Sequence, residues 1–215
     1  PRIGEHILFL HQMSLEEIHG NKVLKHIVRT LGCMVVDQLG CAYVGNFGFD
    51  LHSGEPPTPT NLILIDGEGS PREVANGLRF PNGMVITPDQ KMLVVAESFA
   101  AQLTAFSIEA DGSLSNQRLW AKIPGSSPDG ICLDLDGGIW VASPATGTCF
   151  RVQEGGQITD EFRPIDPPYA CMLGGSEGRT LYILTAPSGV PSVCAENPRA
   201  SIVSVDVSFP GAGLP

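Results

Sequence analysis

The chain has 215 residues and a formal net charge of −10, and 42% of its residues are hydrophobic and 17% charged. This composition indicates a globular protein, and its acidity argues against nucleic acid or an anionic membrane as a partner, because both bind basic surfaces. No apolar run approaches the length of a membrane span. The six cysteines form no CxxC pair and the N-terminus lacks the order of a signal peptide, so reduced thiols and a cytoplasmic location are expected.

Residues 1–30 differ from the rest of the chain. The run Ile7-Leu8-Phe9-Leu10 predicts a short strand, and Ser14 followed by Glu17 fits a capping box at the start of a helix. Over the whole chain, 25 glycines and 18 prolines favour many short strands joined by turns.

A repeat begins at about residue 31. Its units start at Gly32, Asn82, Asp129 and Tyr169 and recur at intervals of roughly 40–50 residues. Each unit holds two apolar runs separated by a turn rich in Asp, Gly or Pro, and a further apolar run follows. This pattern is typical of antiparallel hairpins.

The repeat predicts an all-β fold, a β-propeller with about four visible blades. Four strands per unit at this period are characteristic of propeller blades. A β-sandwich would not require one motif four times at near-constant spacing. We expect a single propeller domain over residues 1–215, with an atypical segment at 1–30 and four blade repeats at 31–215.

Residues at one phase of the repeat should form a ring around the central channel, because the innermost strand of each blade runs along it. The residues at this phase are Gly32, Asn82, Asp129 and Tyr169. Amide and carboxylate oxygens are hard donors that suit Ca²⁺ or Mg²⁺. Such a cation could polarise a carbonyl group, and Asp129 could act as both ligand and general base.

A structural interpretation of the same residues competes with this one. The dipeptides Asn82-Gly83 and Asp129-Gly130 are each common in turns, but their coincidence at one phase of the repeat favours a site. The tryptophans and phenylalanines are expected in the core between blades. The acidic residues of the hairpin turns are expected to hydrogen-bond their own turn backbones: Asp37, Asp134 and Asp136.

Several motifs, in order, resemble the senescence-marker-protein/gluconolactonase family of regucalcin-like lactonases. They are Met34-Val35-Val36-Asp37, Tyr43-Val44-Gly45-Asn46-Phe47-Gly48-Phe49-Asp50, Phe80-Pro81-Asn82-Gly83-Met84, Pro128-Asp129-Gly130 and Cys171-Met172-Leu173-Gly174-Gly175. The resemblance covers about residues 31–215.

The resemblance implies a six-bladed propeller that hydrolyses sugar lactones or related esters with a divalent cation at the channel mouth. The cation is usually Ca²⁺, with Mg²⁺, Mn²⁺ or Zn²⁺ as alternatives. Asn82 and Asp129 match two of the family's metal ligands, and Asp129 also matches its proposed base. Asp50 falls where some members carry an acidic substrate contact, and Asn46 in the same motif is assigned to substrate binding with it.

The sequence also departs from the family pattern. No Glu-Gly-Pro motif, which carries a third metal ligand, precedes Met34, and Gly32-Cys33 stands where members usually have Asn-Asp. Four units are visible where six are expected. A cation held by Asn82 and Asp129 alone would need water to complete its shell and would bind weakly. An arc of four blades would also leave apolar sheet faces uncovered.

Three functions are therefore weighed. The first is a metal-dependent hydrolase of a small-molecule lactone or ester. The second is a non-catalytic propeller fragment or binding module, suggested by the missing glutamate and by Gly32. The third, condensation chemistry of the strictosidine-synthase kind, needs no cation and is disfavoured by the Asn82 and Asp129 pair. The oligomeric state is left open.

Overall fold

Short antiparallel strands dominate the computed structural model, which describes residues 31–51 and 53–213. The strand predicted at residues 7–10 and the helix predicted after Ser14 lie outside the described residues. The two C-terminal residues, 214 and 215, lie outside them as well.

The described strands form four sheets in which sequence neighbours pair. The first sheet contains β1 (Leu31–Val36), β2 (Ala42–Asn46), β3 (Thr60–Ile65) and β4 (Pro71–Leu78). The second contains β5 (Pro81–Ile86), β6 (Met92–Glu97), β7 (Gln102–Ile108) and β8 (Leu114–Lys122). The third contains β9 (Ile131–Leu133), β10 (Ile139–Ser143), β11 (Thr148–Val152) and β12 (Ile158–Phe162). The fourth contains β13 (Pro168–Gly174), β14 (Thr180–Thr185) and β15 (Ser201–Asp206).

Within the described ranges, two short helical segments interrupt the strands. One 3-10 turn, Ser98–Ala100, follows β6, and the helix α1 (Pro191–Glu196) lies between β14 and β15. Each of the four predicted repeat units corresponds to the first hairpin of one sheet, so the propeller prediction is confirmed.

Three aspartates were predicted to hydrogen-bond the backbones of their own hairpin turns, and the prediction is confirmed for Asp37 and Asp134. Asp37 Oδ1 accepts from the backbone N–H groups of Leu39 and Cys41, at 2.9 and 2.8 Å. Asp134 Oδ1 plays the same part in the turn between β9 and β10. Asp136 instead binds the guanidinium group of Arg151 at 3.0 Å.

The inner strands of the four sheets lie side by side in chain order. β1 packs beside β5, β5 beside β9, and β9 beside β13. All four line one cavity of about 410 Å³, to which Val36, Ile86, Leu133 and Leu173 contribute. The sheets therefore radiate from a common channel, which is the arrangement of propeller blades.

Alternation along each strand builds the core between neighbouring sheets. In β6, Leu93 and Val95 pack toward the first sheet, while Val94 and Ala96 pack toward the third. Trp120 belongs to the cluster between the second and third sheets, and Trp140 to the cluster between the third and fourth. Both indoles are buried, as expected from their predicted place between blades.

A buried ion pair fixes the end of the channel away from the start of the inner strands. Arg151 Nε lies 2.6 Å from Asp134 Oδ2, and both side chains are about 1% exposed. The guanidinium carbon of Arg151 also stacks 4.3 Å from the ring centroid of Phe209. Asp134 forms a backbone bridge with Gly211. The C-terminal segment is therefore clamped against the third sheet.

The fourth sheet has one buried and one exposed face. Cys171, Leu181 and Ile183 are buried against the third sheet. The opposite face carries exposed apolar side chains: Met172, Tyr182, Leu184 and Ile202. The exposed apolar face expected of a four-blade arc is thus present in the described residues. In this part of the chain, no helix is both long and apolar enough to cross a membrane.

Candidate active site

The predicted ring position lies at the start of the inner strands. Asn82 is the second residue of β5, and Asp129 comes two residues before β9. The Gly83 N–H donates to the Asp129 carbonyl at 3.1 Å, and the Gly130 N–H donates to the Tyr169 carbonyl at 2.9 Å. These bonds run between blades, so Asn82, Asp129 and Tyr169 follow one another around the channel rim.

The glycines after Asn82 and Asp129 are required by this close approach and not by a turn. A Cβ at Gly83 would lie 2.4 Å from the Asp129 carbonyl oxygen and 2.7 Å from the Ile131 nitrogen. A Cβ at Gly130 would lie 2.7 Å from the Cα of Ala170. The interpretation of Asn82-Gly83 as a turn dipeptide therefore fails, since both residues lie inside β5.

Hydrogen bonds to three neighbours hold the Asn82 side chain, which is only 8% exposed. Its Oδ1 accepts from the Cys33 thiol at 3.1 Å, and its Nδ2 donates to Ser98 Oγ at 3.3 Å. Ser98 Oγ in turn donates to the Pro128 carbonyl at 2.6 Å. The Asn82 side chain also hydrogen-bonds the Asp129 carboxylate. The amide is thus oriented from the first, second and third sheets together.

Asp129 is a carboxyl group with perturbed acidity. Loss of water around it raises its pKa to about 6, although hydrogen bonds from the Asn82 side chain and the Gly130 backbone oppose that rise. Among the residues that the structure describes, no basic side chain contributes to this pKa shift. A carboxyl group with a pKa near 6 can take up and return a proton close to neutral pH, which is what a general acid or base requires.

Cys33 also lies at the candidate site, although its sequence motif did not identify it. The residue is exposed as a whole, but its thiol is withdrawn toward Asn82, and desolvation together with the negative charge of Asp129 raises its pKa to about 11. The thiol therefore stays protonated near neutral pH and donates to Asn82. The signal was present in the repeat, because the residue after the ring position is Gly83 or Gly130 in two units and Cys33 in the first.

Gly32 occupies the ring position of the first sheet and offers no side chain to the rim. A Cβ there would lie 3.2 Å from the Pro81 carbonyl oxygen and 3.3 Å from that of Gly45, which is tight but less severe than at Gly83. The first sheet thus reaches the site through Cys33 and not through its ring residue.

The two predicted substrate contacts lie at the end of β2 and beyond it. Asn46 is buried, and its Nδ2 donates to Asn61 Oδ1 at 2.9 Å while its Oδ1 accepts from the Gly48 N–H at 3.1 Å. Asp50 lies in the following loop, where its Oδ1 accepts from the Ser53 N–H at 3.1 Å. Asn46 therefore anchors the loop that carries Asp50.

The donor set fits a hard cation in kind. Asn82 and Asp129 place an amide and a desolvated carboxylate side by side, and a cation would neutralise the charge of Asp129. No cluster of three or more His, Cys, Asp or Glu side chains that could hold a metal ion occurs among residues 31–51 and 53–213. Two side-chain donors are fewer than the six to eight oxygens of a Ca²⁺ shell.

The protein-family model of the SMP-30/gluconolactonase/LRE-like region matches residues 14–187 of the chain. Among curated relatives, regucalcin of Danio rerio is 29% identical over 186 residues, which cover 84% of this chain and 62% of the relative. Regucalcin of Oryctolagus cuniculus is 27% identical over 140 residues, which cover 62% of this chain and 47% of the relative. The chain spans about half the length of the curated relatives it matches.

Solved structures agree on the architecture. A luciferin-regenerating enzyme superposes with a TM-score of 0.72 and 21% identity, over 89% of this chain and 66% of that one. A calcium-binding regucalcin of Agrobacterium tumefaciens superposes with a TM-score of 0.67 and 15% identity, over 85% of this chain and 62% of that one. A gluconolactonase of Xanthomonas campestris superposes with a TM-score of 0.61 and 25% identity, over 74% of this chain and 55% of that one. The uncovered shares show that these proteins contain structure without a counterpart in this chain.

Proposed function

The chain belongs to the SMP-30/gluconolactonase/LRE-like family, and on that premise we propose that it hydrolyses sugar lactones or related esters with the help of a divalent cation. The observation that carries the proposal is the Asp129 carboxyl group beside the oriented Asn82 amide at the channel rim. The family description and the name of one similar solved structure support the substrate class, since both mention a gluconolactonase.

In the proposed reaction Asp129 moves the protons. Its carboxylate takes a proton from a water molecule, and the water oxygen forms a bond to the acyl carbon of the lactone. The bond from that carbon to the ring oxygen then breaks, and Asp129 returns the proton to the departing alkoxide, which leaves a hydroxy acid. Asn82 orients the Asp129 carboxylate through their hydrogen bond.

Asn82 and Asp129 are the residues that would hold the cation, which we propose to be Ca²⁺, with water completing its shell. When bound, the cation would polarise the acyl carbonyl of the substrate. We propose Asp50 as a substrate contact from the loop after β2, with Asn46 holding that loop in place. The free thiols of all six cysteines support work in a reducing compartment such as the cytoplasm.

The test is hydrolysis of a panel of lactones and esters by the 215-residue chain in the presence of Ca²⁺, Mg²⁺, Mn²⁺ or Zn²⁺. We expect Asp129→Ala to abolish activity, since no other described carboxyl group occupies its place at the rim. Glu68→Gln, in the exposed turn between β3 and β4, is the matched control and should leave the rate unchanged. An inactive parent, or an Asp129→Ala variant as active as the parent, would refute the proposal.

One observation favours the alternative, a non-catalytic binding module. The Cys33 thiol occupies Asn82 Oδ1, the oxygen that a cation would need. Calorimetric titration of the parent chain with Ca²⁺ up to millimolar concentration distinguishes the two. Absence of any binding heat would support the binding module, whereas saturable binding that Asp129→Ala removes would support the hydrolase.

A further inference from the structure

Four phenylalanines form a cluster at the same rim, apart from the core between the blades. Phe47 and Phe49 follow β2, Phe80 precedes β5, and Phe99 lies in the 3-10 turn after β6. Phe80 is stacked between two rings, with centroid distances of 4.2 Å to Phe47 and 4.6 Å to Phe99. Phe49 tilts against Phe80 and Phe99 at 5.9 and 5.7 Å. We call these four residues the rim cluster.

Backbone hydrogen bonds tie the rim cluster to the candidate site. The Ser98 N–H donates to the Phe80 carbonyl at 3.1 Å, and the side chain of Ser98 contacts Asn82. Phe99 directly follows Ser98 in the chain, and the Ser98 hydroxyl group is the one that orients the Asn82 amide. The rim cluster is therefore linked to the candidate site through Ser98.

The backbone at the rim cluster is strained. Phe80 has a φ of 58°, in the left-handed region that residues with a bulky side chain rarely adopt. The buried Glu97 carboxylate supports this conformation by accepting from the Arg79 N–H at 2.7 Å. Strain of this kind persists where the surrounding structure enforces it, and it concentrates at ligand-binding sites.

One ring of the cluster is open to solvent. Phe49 and Phe80 are 5% and 7% exposed, whereas Phe99 is 44% exposed. A purely structural cluster would gain by burying this terminal ring as well, because each apolar side chain contributes through the area it removes from water. The exposed ring instead offers a flat apolar surface next to the candidate site.

We propose that Phe99 determines substrate specificity by stacking against a flat aromatic group of the substrate. This inference rests on the proposed function and narrows its substrate class to lactones or esters that carry an aromatic ring beside the acyl group. Offset stacking on a phenylalanine adds to the burial of apolar area, and a preference of about five- to tenfold over an aliphatic counterpart is expected.

The kinetic test compares two lactones that differ by a fused benzene ring, dihydrocoumarin and δ-valerolactone. We expect Phe99→Ala to lower kcat/KM for dihydrocoumarin about five- to tenfold and to leave δ-valerolactone unchanged. Phe99→Leu, which keeps an apolar side chain without a ring, should lose most of the same preference. Ile165→Ala, at a 98% exposed position between β12 and β13, is the control and should change neither rate. Equal losses for both lactones would overturn the proposal.

A binding test separates this inference from the proposed hydrolysis. The unreactive lactams 3,4-dihydroquinolin-2-one and δ-valerolactam replace the two lactones, and their dissociation constants are measured by ligand-observed NMR. We expect the parent to bind the aromatic lactam more tightly and both Phe99 variants to lose that difference. This result would stand even if no lactone were hydrolysed. Equal affinity of the parent for the two lactams, or a preference that survives in both variants, would overturn the inference.

Discussion

The first and second sheets each place two equivalent residues at the rim, Gly32-Cys33 and Asn82-Gly83. In the two pairs the glycine and the residue with a polar side chain are in opposite order. In the second sheet the ring residue Asn82 carries the functional group and Gly83 carries none. In the first sheet the ring residue Gly32 carries none and Cys33 carries the functional group. Residue 83 must be glycine, because it lies against Asp129 of the next blade, where a Cβ would be 2.4 Å from a carbonyl oxygen.

This comparison distinguishes the packing requirement at the rim, which concerns the glycine, from the chemical requirement, which concerns the residue before it. Packing between neighbouring inner strands selects the glycine, and only the chemistry of the rim selects the asparagine or aspartate before it. Under the proposed function, the dipeptide Asn82-Gly83 therefore contains one residue that serves folding, Gly83, and one that serves the candidate site, Asn82. The following experiments test this separation.

The largest effect is expected from adding a methyl group at Gly83. Gly83→Ala should destabilise the fold by about 3 kcal/mol, because the new Cβ forces β5 away from Asp129 and breaks the hydrogen bond between the blades. Gly32→Ala meets its nearest atom at 3.2 Å and should cost about 1 kcal/mol or less. Urea denaturation of both variants measures the difference, and similar midpoints would contradict the separation of roles.

A smaller effect is expected from removing the charge of Asp129. Its folded pKa of about 6 lies above the ordinary value of 3.8, so the native state disfavours the ionised form. The parent therefore loses stability relative to Asp129→Asn as pH rises from 4 through 6, by on the order of 2 kcal/mol above pH 7. Below pH 3.8 the carboxyl group is protonated in both states and this difference disappears. Thermal denaturation in the presence of a chelator measures it.

Asp89 provides a control of opposite sign in the turn between β5 and β6. Hydrogen bonds from the Thr87 hydroxyl and the Lys91 backbone lower its pKa. Its contribution is therefore present above its ordinary pKa and is lost as pH falls through the lowered folded value. Asp89→Asn should be less stable than the parent at neutral pH and should approach it in strong acid. The same pH trend for both variants would mean that the shift at Asp129 has another origin.

Cys33 allows the metal affinity of the rim to be changed. Cys33→Gly removes the thiol that donates to Asn82 Oδ1 and should tighten Ca²⁺ binding roughly five- to tenfold, as expected for release of one hydrogen bond. Cys33→Ser retains a donor at the same place and should gain little. Calorimetric titration compares the two variants, and an equal gain in both would show that the hydrogen bond is not the cause.

The smallest difference is expected between the stabilities of the Ser98 and Cys33 variants. Ser98→Ala removes the hydroxyl that accepts from Asn82 Nδ2 and donates to the Pro128 carbonyl, and it should cost about 1 kcal/mol of stability. Cys33→Gly should change stability less, because its side chain is more exposed and serves only Asn82. If Cys33→Gly lowered the denaturation midpoint more than Ser98→Ala, the hydrogen bond from the first sheet would be the stronger contribution to holding the Asn82 side chain.

The repeat made the fold predictable, together with the placement of Asn82 and Asp129 on the rim. Phase alone identifies Asn82 and Asp129 as neighbours on the rim, because equivalent residues of successive inner strands must lie side by side. The hairpin aspartates Asp37 and Asp134 were also assigned correctly, since their hydrogen bonds reach only two and four residues along the chain. Local geometry of this kind can be inferred from sequence.

The rest depends on contacts between distant loops. The stack of Phe47, Phe80 and Phe99 joins the end of the first hairpin, the entry to β5 and the turn after β6. No periodicity connects these positions, and the expectation that phenylalanines pack between blades holds for Phe106 and Phe150 but misses the rim cluster. The hydrogen bond from the Cys33 thiol to Asn82 was likewise hidden, because it joins side chains that are 49 residues apart in the chain.

The clamp formed by Arg151, Asp134 and Phe209 bears on how this molecule could be re-engineered. It ties the third sheet to the C-terminal segment at the end of the channel opposite the rim, with no contribution from the loops after β2 and β6. Sequence changes in those loops should therefore leave the contacts between the third sheet and the C-terminal segment intact. The rim is the part of the scaffold in which new loops could be grafted to recognise other ligands, because the clamp between the third sheet and the C-terminal segment does not depend on the rim loops.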